Sequence, residues 1–582
     1  MTMRNVAGDV AEIEAEQAHP ATARLVSKLG PHGPSAAVGL ALGFLALGPG
    51  LAPGFLLSYD MVFVPVPPFS AALLGLTGGP ARAVPSDAVI TVAARLIPSD
   101  ILQKLILLLI FALACAGAAA LLRDGWRQVT GRPAPALACL VSGVFYAWNP
   151  YLAERLLIGQ WALLLGYAAL PWVLRQICTG PVRLRPWRLV LVLLPAAIGG
   201  FAAMTITGLA AIPAALARGT GGERWRRLIT VLLSLALLSL PWLIPSLIVP
   251  VHTDPIGAEV FAARADTPFG RLGSLVMLSG IWNAQTVPRG YGGTPAIFWL
   301  LIVAASLAGY VLFAQRRRLL PGLGAVGLIS LATAAIGITS PGRAALRELI
   351  GVGPAFAVLR DGQQFVAGLG VVEAIGLGAA MAWLLGRFTI GRCADASAAT
   401  AASRGGVRPE PAAVALAALA LVAPVLMLPG LAWGETGRLR SVQYPADWLV
   451  ARRDIDTSRT SGSVLLLPWA AYRRYPWNDG EAVYDPWNKL LSREVISNDG
   501  LQVGRQTLTQ ESAASIRLNR IIARPGPMTT RLIAAGVRYV IIDAGPLLTT
   551  PAGRVAAAAR LPTARVLLAS RDLVVLILPA AG

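Results

Sequence analysis

Histidine, cysteine and lysine are scarce in this 582-residue chain. The three histidines, His19, His32 and His252, are scattered, so a histidine-based metal site is not expected. The four cysteines, Cys115, Cys139, Cys178 and Cys393, lie in apolar runs or Arg-flanked loops. None has a CxxC partner, which excludes a disulfide framework and a thiolate zinc site. Lys28, Lys104 and Lys489 are the only lysines, so arginine carries nearly all the positive charge. Charged residues make up 14% of the chain, well below the ~25% of soluble domains. There is no P-loop, GxGxxG or HExxH motif, and no GxSxG in a strand–turn–helix context. No internal repeat is present. No cleavable signal pattern precedes the first apolar run, which is therefore expected to stay as an anchor.

Apolar residues are abundant instead. They make up 55% of the chain, and the mean hydropathy is +0.63. Runs of about 18 or more apolar residues recur, which is the signal of membrane helices. The net charge of +20 does not point to nucleic acid, because the arginines fall in short clusters between apolar runs rather than in a basic stripe with aromatics. Such clusters mark cytoplasmic loops.

Alternation of runs and clusters predicts a polytopic α-helical membrane protein with about eleven transmembrane helices. Residues 1–34 form a cytoplasmic tail, 35–433 the membrane module, and 434–582 an extracytoplasmic α/β domain. The first span is expected from Ala36 to Leu57, running outward, with an external loop at Ser58–Asp100. A short external turn is expected at Tyr151–Gln160. The run Leu189–Ala217 reads as two short helices broken at Gly199–Gly200. The segment 395–411 reads as a flexible linker. In the C-terminal domain, strands are expected at 463–467, 538–542, 564–569 and 573–578, with helices at 509–523 and 528–535. The placement is the multi-pass cytoplasmic (plasma) membrane, with the N-terminus inside and the C-terminal domain outside.

Asp60 stands where the first span leaves the bilayer. A carboxylate there can take a proton from an acceptor hydroxyl as that oxygen attacks a sugar carbon; alternatively it is a helix-end acid pointing into water. Arg155 and Arg360 sit at the same outer face, where guanidinium forks suit phosphate, or salt bridges and lipid headgroups. Asn149, Asp361, Gln363 and Gln364, and Trp282 and Asn283 in the second large external loop, are candidates for sugar hydroxyls. Trp469, Trp477 and Trp487 lie in an aromatic group with Tyr472, Tyr475 and Tyr484 that suits stacking on sugar rings or burial in a core. Glu373 lies within a span, where an acid is a functional candidate by default.

Taken together, Asp60 at the exit of an outward span, Tyr146-Ala147-Trp148-Asn149-Pro150-Tyr151 with Arg155, Leu359-Arg360-Asp361-Gly362-Gln363-Gln364-Phe365, and Ala535-Gly536-Val537-Arg538-Tyr539-Val540-Ile541 resemble the GT-C class of integral membrane glycosyltransferases, in its arabinofuranosyltransferase-like branch. The resemblance implies a polyprenyl-phosphate sugar donor, an extracytoplasmic glycan acceptor, a lipid bilayer as environment, and Asp60 as the catalytic base. The family pattern often has an acidic pair in this loop; here Met61 follows Asp60 and the next acid is Asp87. No cofactor and no metal are assigned, and a divalent metal rests on the resemblance alone. Two other readings remain open at this point: a transporter or flippase of a lipid-linked glycan, carried by Glu373 and the broken run near Gly199, and a non-catalytic envelope-assembly protein.

Overall fold

The computed structural model describes residues 32–77, 81, 84–181, 183–249, 251–390, 410–504 and 506–580. The expected cytoplasmic tail and the linker at 395–411 lie almost wholly outside them. Among the described residues, seven helices are long and apolar enough to cross a membrane, or nine if each of two bent pairs is one span. The protein is a multi-pass membrane protein, and the expected count of eleven is not reached. The run broken at Gly199–Gly200 gives two helices of 13 and 17 residues. At 1.5 Å per residue both fall short of a ~30 Å hydrocarbon core.

The helices that position the site are α1 (Gly33–Leu47), α2 (Ser99–Thr130), α3 (Ala136–Ala147), α4 (Pro150–Leu157), α5 (Trp161–Cys178), α6 (Thr294–Gly309) and α7 (Ala367–Ile390). Helix α1 ends ten residues before the expected boundary. The apolar pair Phe55–Leu56 that extends the sequence run is a short strand, paired antiparallel with Ser441–Val442. Tight crossings hold the bundle. A Cβ on Gly376 would lie 2.0 Å from the Ser306 carbonyl oxygen, so α6 and α7 touch backbone to backbone. Small residues at such crossings are how membrane helices gain contact where lipid offers no hydrophobic drive.

The two ends of the bundle differ. At one end, Arg175 of α5 donates to Asp124 of α2 at 2.7 Å, and Arg227 donates to the Ile177 carbonyl at 2.6 Å. At the other end of α2, Gln103 exchanges hydrogen bonds with the backbone of Leu56, at 2.9 and 2.7 Å. This second end carries the C-terminal module.

The module has one five-stranded sheet built from β1 (Ser463–Leu467), β4 (Val495–Ile496), β5 (Val537–Ile542), β6 (Arg565–Ala569) and β7 (Val574–Ile577), in the order β6-β7-β5-β1-β4. The pairs β1–β5 and β1–β4 are parallel; β5–β7 and β7–β6 are antiparallel. All five residues of β1 are buried, as a central parallel strand requires. A separate hairpin, β2 (Tyr472–Arg474) and β3 (Ala482–Tyr484), reaches from the module to the membrane end. The last span bends by 61° before the module begins. Trp433 to Thr436 follow in left-handed conformation (φ 58°, 68°, 52° and 57°).

Candidate functional site

Asp60 lies on a tight loop. Ser58 and Met61 exchange backbone hydrogen bonds of 3.3 and 2.8 Å, and Tyr59 between them adopts φ +43°, a left-handed conformation that costs a non-glycine residue on the order of 1–2 kcal/mol. The surroundings hold it there. The Ser58 hydroxyl donates to the Leu157 carbonyl at 2.6 Å, and the Asp60 amide to the Ile158 carbonyl at 3.1 Å. On the other side, the Tyr59 amide donates to the Ala482 carbonyl at 2.7 Å and the Tyr484 amide to the Tyr59 carbonyl at 2.8 Å. The loop is thus clamped between the α4–α5 turn and the β2–β3 hairpin. Gly159 makes room for it: its φ is +81°, and a Cβ there would lie 2.2 Å from the Met61 nitrogen. The Asp60 side chain stays exposed, and Tyr472 donates its hydroxyl to Asp60 Oδ1 at 2.6 Å.

Beneath the loop is α4. The expected external turn is instead a helix buried along its whole length. Asn149 caps it, accepting from the Leu152 amide at 3.1 Å, and Pro150 takes the first helical position, as such sequences favour. Asn149 also donates to the carbonyls of Phe145 and Tyr146 and to the Tyr167 hydroxyl. It is fully buried, so it is a structural cap and not a group that meets a sugar.

Arg155 is also fully buried. Its guanidinium donates two bonds to Asp361, of 2.6 and 2.8 Å, two to Gln363 Oε1, from Nε at 2.7 Å and from Nη2, and one to Gln160 Oε1 at 2.5 Å. This departs from the expected phosphate ligand: in this conformation every face of the fork is used inside the protein. Gln363 donates to Glu154 at 3.1 Å, and the Gln364 amide to the Val358 carbonyl at 2.5 Å. Both glutamines are buried and brace the chain rather than face a ligand. Asp361 keeps 16% of its side chain exposed.

Arg360 turns the other way. Its guanidinium sits 4.5 Å from the Phe261 ring centre and 3.6 Å from Glu511 of the C-terminal module. Phe261 meets Trp282 edge-on at 4.8 Å. Trp282 packs on two clusters, one of Tyr59, Ile158 and Ala482, the other of Phe261 and Leu508. It therefore links the Asp60 loop to the Arg360 wall. Asn283 accepts from the Gln285 amide at 3.0 Å, and the Tyr59 hydroxyl donates to Gln285 Oε1 at 2.6 Å. Arg474, exposed on β2, donates to the same oxygen at 3.3 Å.

The three module tryptophans do not form a platform at this site. Trp487 is fully buried and stacks on Trp448 at 4.7 Å. Trp477 stacks on Tyr475 at 4.9 Å, and Trp469 donates to Asn519 at 3.0 Å. Trp487 is core, and Trp477 and Trp469 are partly buried against the two core clusters. Nearby, buried Arg473 pairs with Asp485 at 3.1 Å and Asp543 at 3.0 Å, and Tyr475 donates to Asp543 at 3.0 Å. Burial pushes the Asp543 carboxyl well above the carboxylate range and Asp485 adds to the rise, with Arg473 opposing both. The pairing anchors the hairpin root to the end of β5.

Behind the loop, a cavity of about 60 Å³ is lined by Val62, Phe63, Trp161, Thr91, Asp87 and Lys489. Lys489 bridges to Asp87 at 2.9 Å and so ties the module to the first loop. Among the described residues no three His, Cys, Asp or Glu side chains group so as to hold a metal ion. Glu373 is fully buried in α7.

No family profile and no curated protein matches the sequence. Solved structures do match. The cryo-electron microscopy structure of arabinofuranosyltransferase AftD from Mycobacteria aligns with 94% of this chain at TM-score 0.58 and 16% identity. The fold is GT-C-like. A mutant of AftD aligns over the same 94% at 17% identity, also with TM-score 0.58. The chain spans only 40% of the AftD chain. An oligosaccharyltransferase from Archaeoglobus fulgidus aligns with 91% of this chain and 71% of its own, at TM-score 0.30 and 12% identity.

Tyr472, which donates to Asp60, is assigned by sequence to a sugar-stacking or core group. The contact is visible only once the chain is folded, because 412 positions separate the pair. The Arg155–Asp361 fork spans 206 positions and carries no local signal either.

Proposed function

We propose that the chain is a membrane glycosyltransferase that moves a sugar, arabinofuranose being the first to test, from a polyprenyl-phosphate donor to a cell-envelope glycan or glycoconjugate. The acceptor side is the membrane face that carries the C-terminal module, taken as extracytoplasmic because the arginine clusters lie at the opposite end. The observation that carries this reading is the exposed Asp60 carboxylate on a left-handed loop clamped by five hydrogen bonds from two elements. Strain held by its surroundings is a mark of functional loops. The likeness to AftD supports the class of reaction through its fold.

In this reading Asp60 takes the proton of an acceptor hydroxyl. The oxygen attacks the anomeric carbon, and polyprenyl phosphate leaves with the electrons of the C–O bond. Because Arg155 is fully buried on Asp361, the donor phosphate is met by exposed Arg474 and by Arg360, which exchanges its 3.6 Å contact with Glu511 for the phosphate. Trp282, between them and Asp60, offers a flat face to a sugar ring. The test is sugar transfer by purified protein from candidate polyprenyl-phosphate sugars, wild type beside Asp60→Asn. The variant should keep its thermal midpoint and lose on the order of 10²-fold or more in turnover, the usual contribution of a general base. Equal transfer by the two proteins defeats the assignment.

A further inference from the structure

The structure places a tyrosine of the C-terminal module directly on the carboxylate of the membrane loop. Tyr472 is the first residue of β2, half-buried, with its ring 5.9 Å from that of Tyr59 and 6.0 Å from that of Tyr484. Those contacts fix the ring, and the hydroxyl reaches Asp60 Oδ1 at 2.6 Å. That distance is ordinary for an O–H···O⁻ bond, a class that is among the stronger hydrogen bonds of proteins. Next along β2, Arg473 is buried between Asp485 and Asp543, so the strand cannot rotate without breaking a buried ion pair. Residues at alternate positions share a face. Tyr472 and Arg474 therefore point together toward the loop, as their bonds to Asp60 and Gln285 confirm.

We infer that Tyr472 is a positioning residue for the base: the C-terminal module supplies, through this hydroxyl, a hydrogen bond that aims the Asp60 carboxylate and helps to steady its loop. The inference rests on the reading of Asp60 as the base, and it makes the module part of the catalytic centre rather than only a holder of acceptor. A phenyl ring in place of Tyr472 keeps the aromatic packing and removes the hydroxyl.

The test is a double-mutant cycle with an exchange measurement. Tyr472→Phe should lower turnover about tenfold, the scale of a hydrogen bond to a charged group, with donor and acceptor KM within about twofold of wild type. In the Asp60→Asn background the same change should cost nothing further, because its effect passes through the carboxylate. An equal loss in both backgrounds, or no loss in either, overturns the inference. Amide hydrogen exchange gives a second reading that needs no activity. Peptides covering residues 58–62 should exchange at least about threefold faster in Tyr472→Phe, while those covering β1 and β5 stay unchanged. Unchanged exchange at the loop counts against the tie. A wild type that transfers no sugar defeats the proposed function alone, and the exchange result then decides the role of Tyr472.

Discussion

Arg155 grips Asp361 through two parallel hydrogen bonds, 2.6 and 2.8 Å long, from a side chain with no exposure at all. The pair locks the segment Arg360–Gln364 onto α4, and with it the direction in which Arg360 leaves the chain. Removing one partner strands a buried charge, which costs about 3–5 kcal/mol. Asp361→Ala should therefore lower the thermal midpoint of the detergent-solubilised protein by several degrees. Arg155→Lys should fail to restore it, because an ammonium cannot reproduce the fork.

Arg474→Gln should behave in the opposite way. The side chain is exposed and its loss leaves no buried charge. Thermal stability should stay within about 0.5 kcal/mol of wild type, while KM for the phosphate-bearing donor rises. A donor KM equal to that of wild type removes Arg474 from the phosphate contact.

Gly159→Ala tests the seat of the Asp60 loop. The new methyl meets the Met61 nitrogen and the Ser58 carbonyl oxygen at 2.2 and 2.3 Å, and neither backbone atom can retreat without moving Asp60. Turnover should fall by at least about tenfold, since small displacements of reacting groups are costly. Far-ultraviolet circular dichroism should be unchanged.

Asp266, below the Trp282 segment, gives a pH signature. Burial pushes its carboxyl up to about 6, against partial opposition from Arg264 and the amides of Gly280 and Ile281. In the unfolded chain it ionises near 3.9. The folded protein therefore holds this proton more tightly, and the stability so gained is complete below about pH 4 and lost as pH rises to about 6. Asp266→Asn should abolish that slope. Above pH 6 it should be the more stable protein, by on the order of 2 kcal/mol, in thermal unfolding measured from pH 4 to 8.

Trp282 and Trp487 separate platform from core. Trp487→Ala should destabilise the module by about 3–5 kcal/mol, because the ring is fully buried on Trp448. Trp282→Ala, at a half-buried ring packed on two small clusters, should cost clearly less stability than Trp487→Ala and weaken sugar transfer.

Local signals carried much of the fold. The run at 538–542 reads as a strand and lies in β5, the partner of β1, whereas the turn expected after Asn149-Pro150 is a helix that Asn149 caps. The apolar count overshot where Phe55–Leu56 leaves the helix for a strand, since hydropathy does not distinguish a lipid-facing turn from a buried strand. Composition equally could not sort the aromatics. A tryptophan that stacks on sugar and one that stacks on Trp448 have the same neighbours in sequence. The charged site was half visible: Asp60 stands out by position, whereas Arg155 looks like a free cation until Asp361 is folded onto it.

The order of the chain has a consequence for biogenesis. The strained Tyr59 is made early, yet the backbone groups that hold it, at Ala482 and Tyr484, come hundreds of residues later. Until that late hairpin has emerged on the same face of the bilayer, the loop lacks half its clamp and Asp60 lacks its phenol. A polypeptide ending before residue 472 would already hold the described spans but lack the hairpin contacts that seat the Asp60 loop, so the geometry of that loop waits on a segment made well after it.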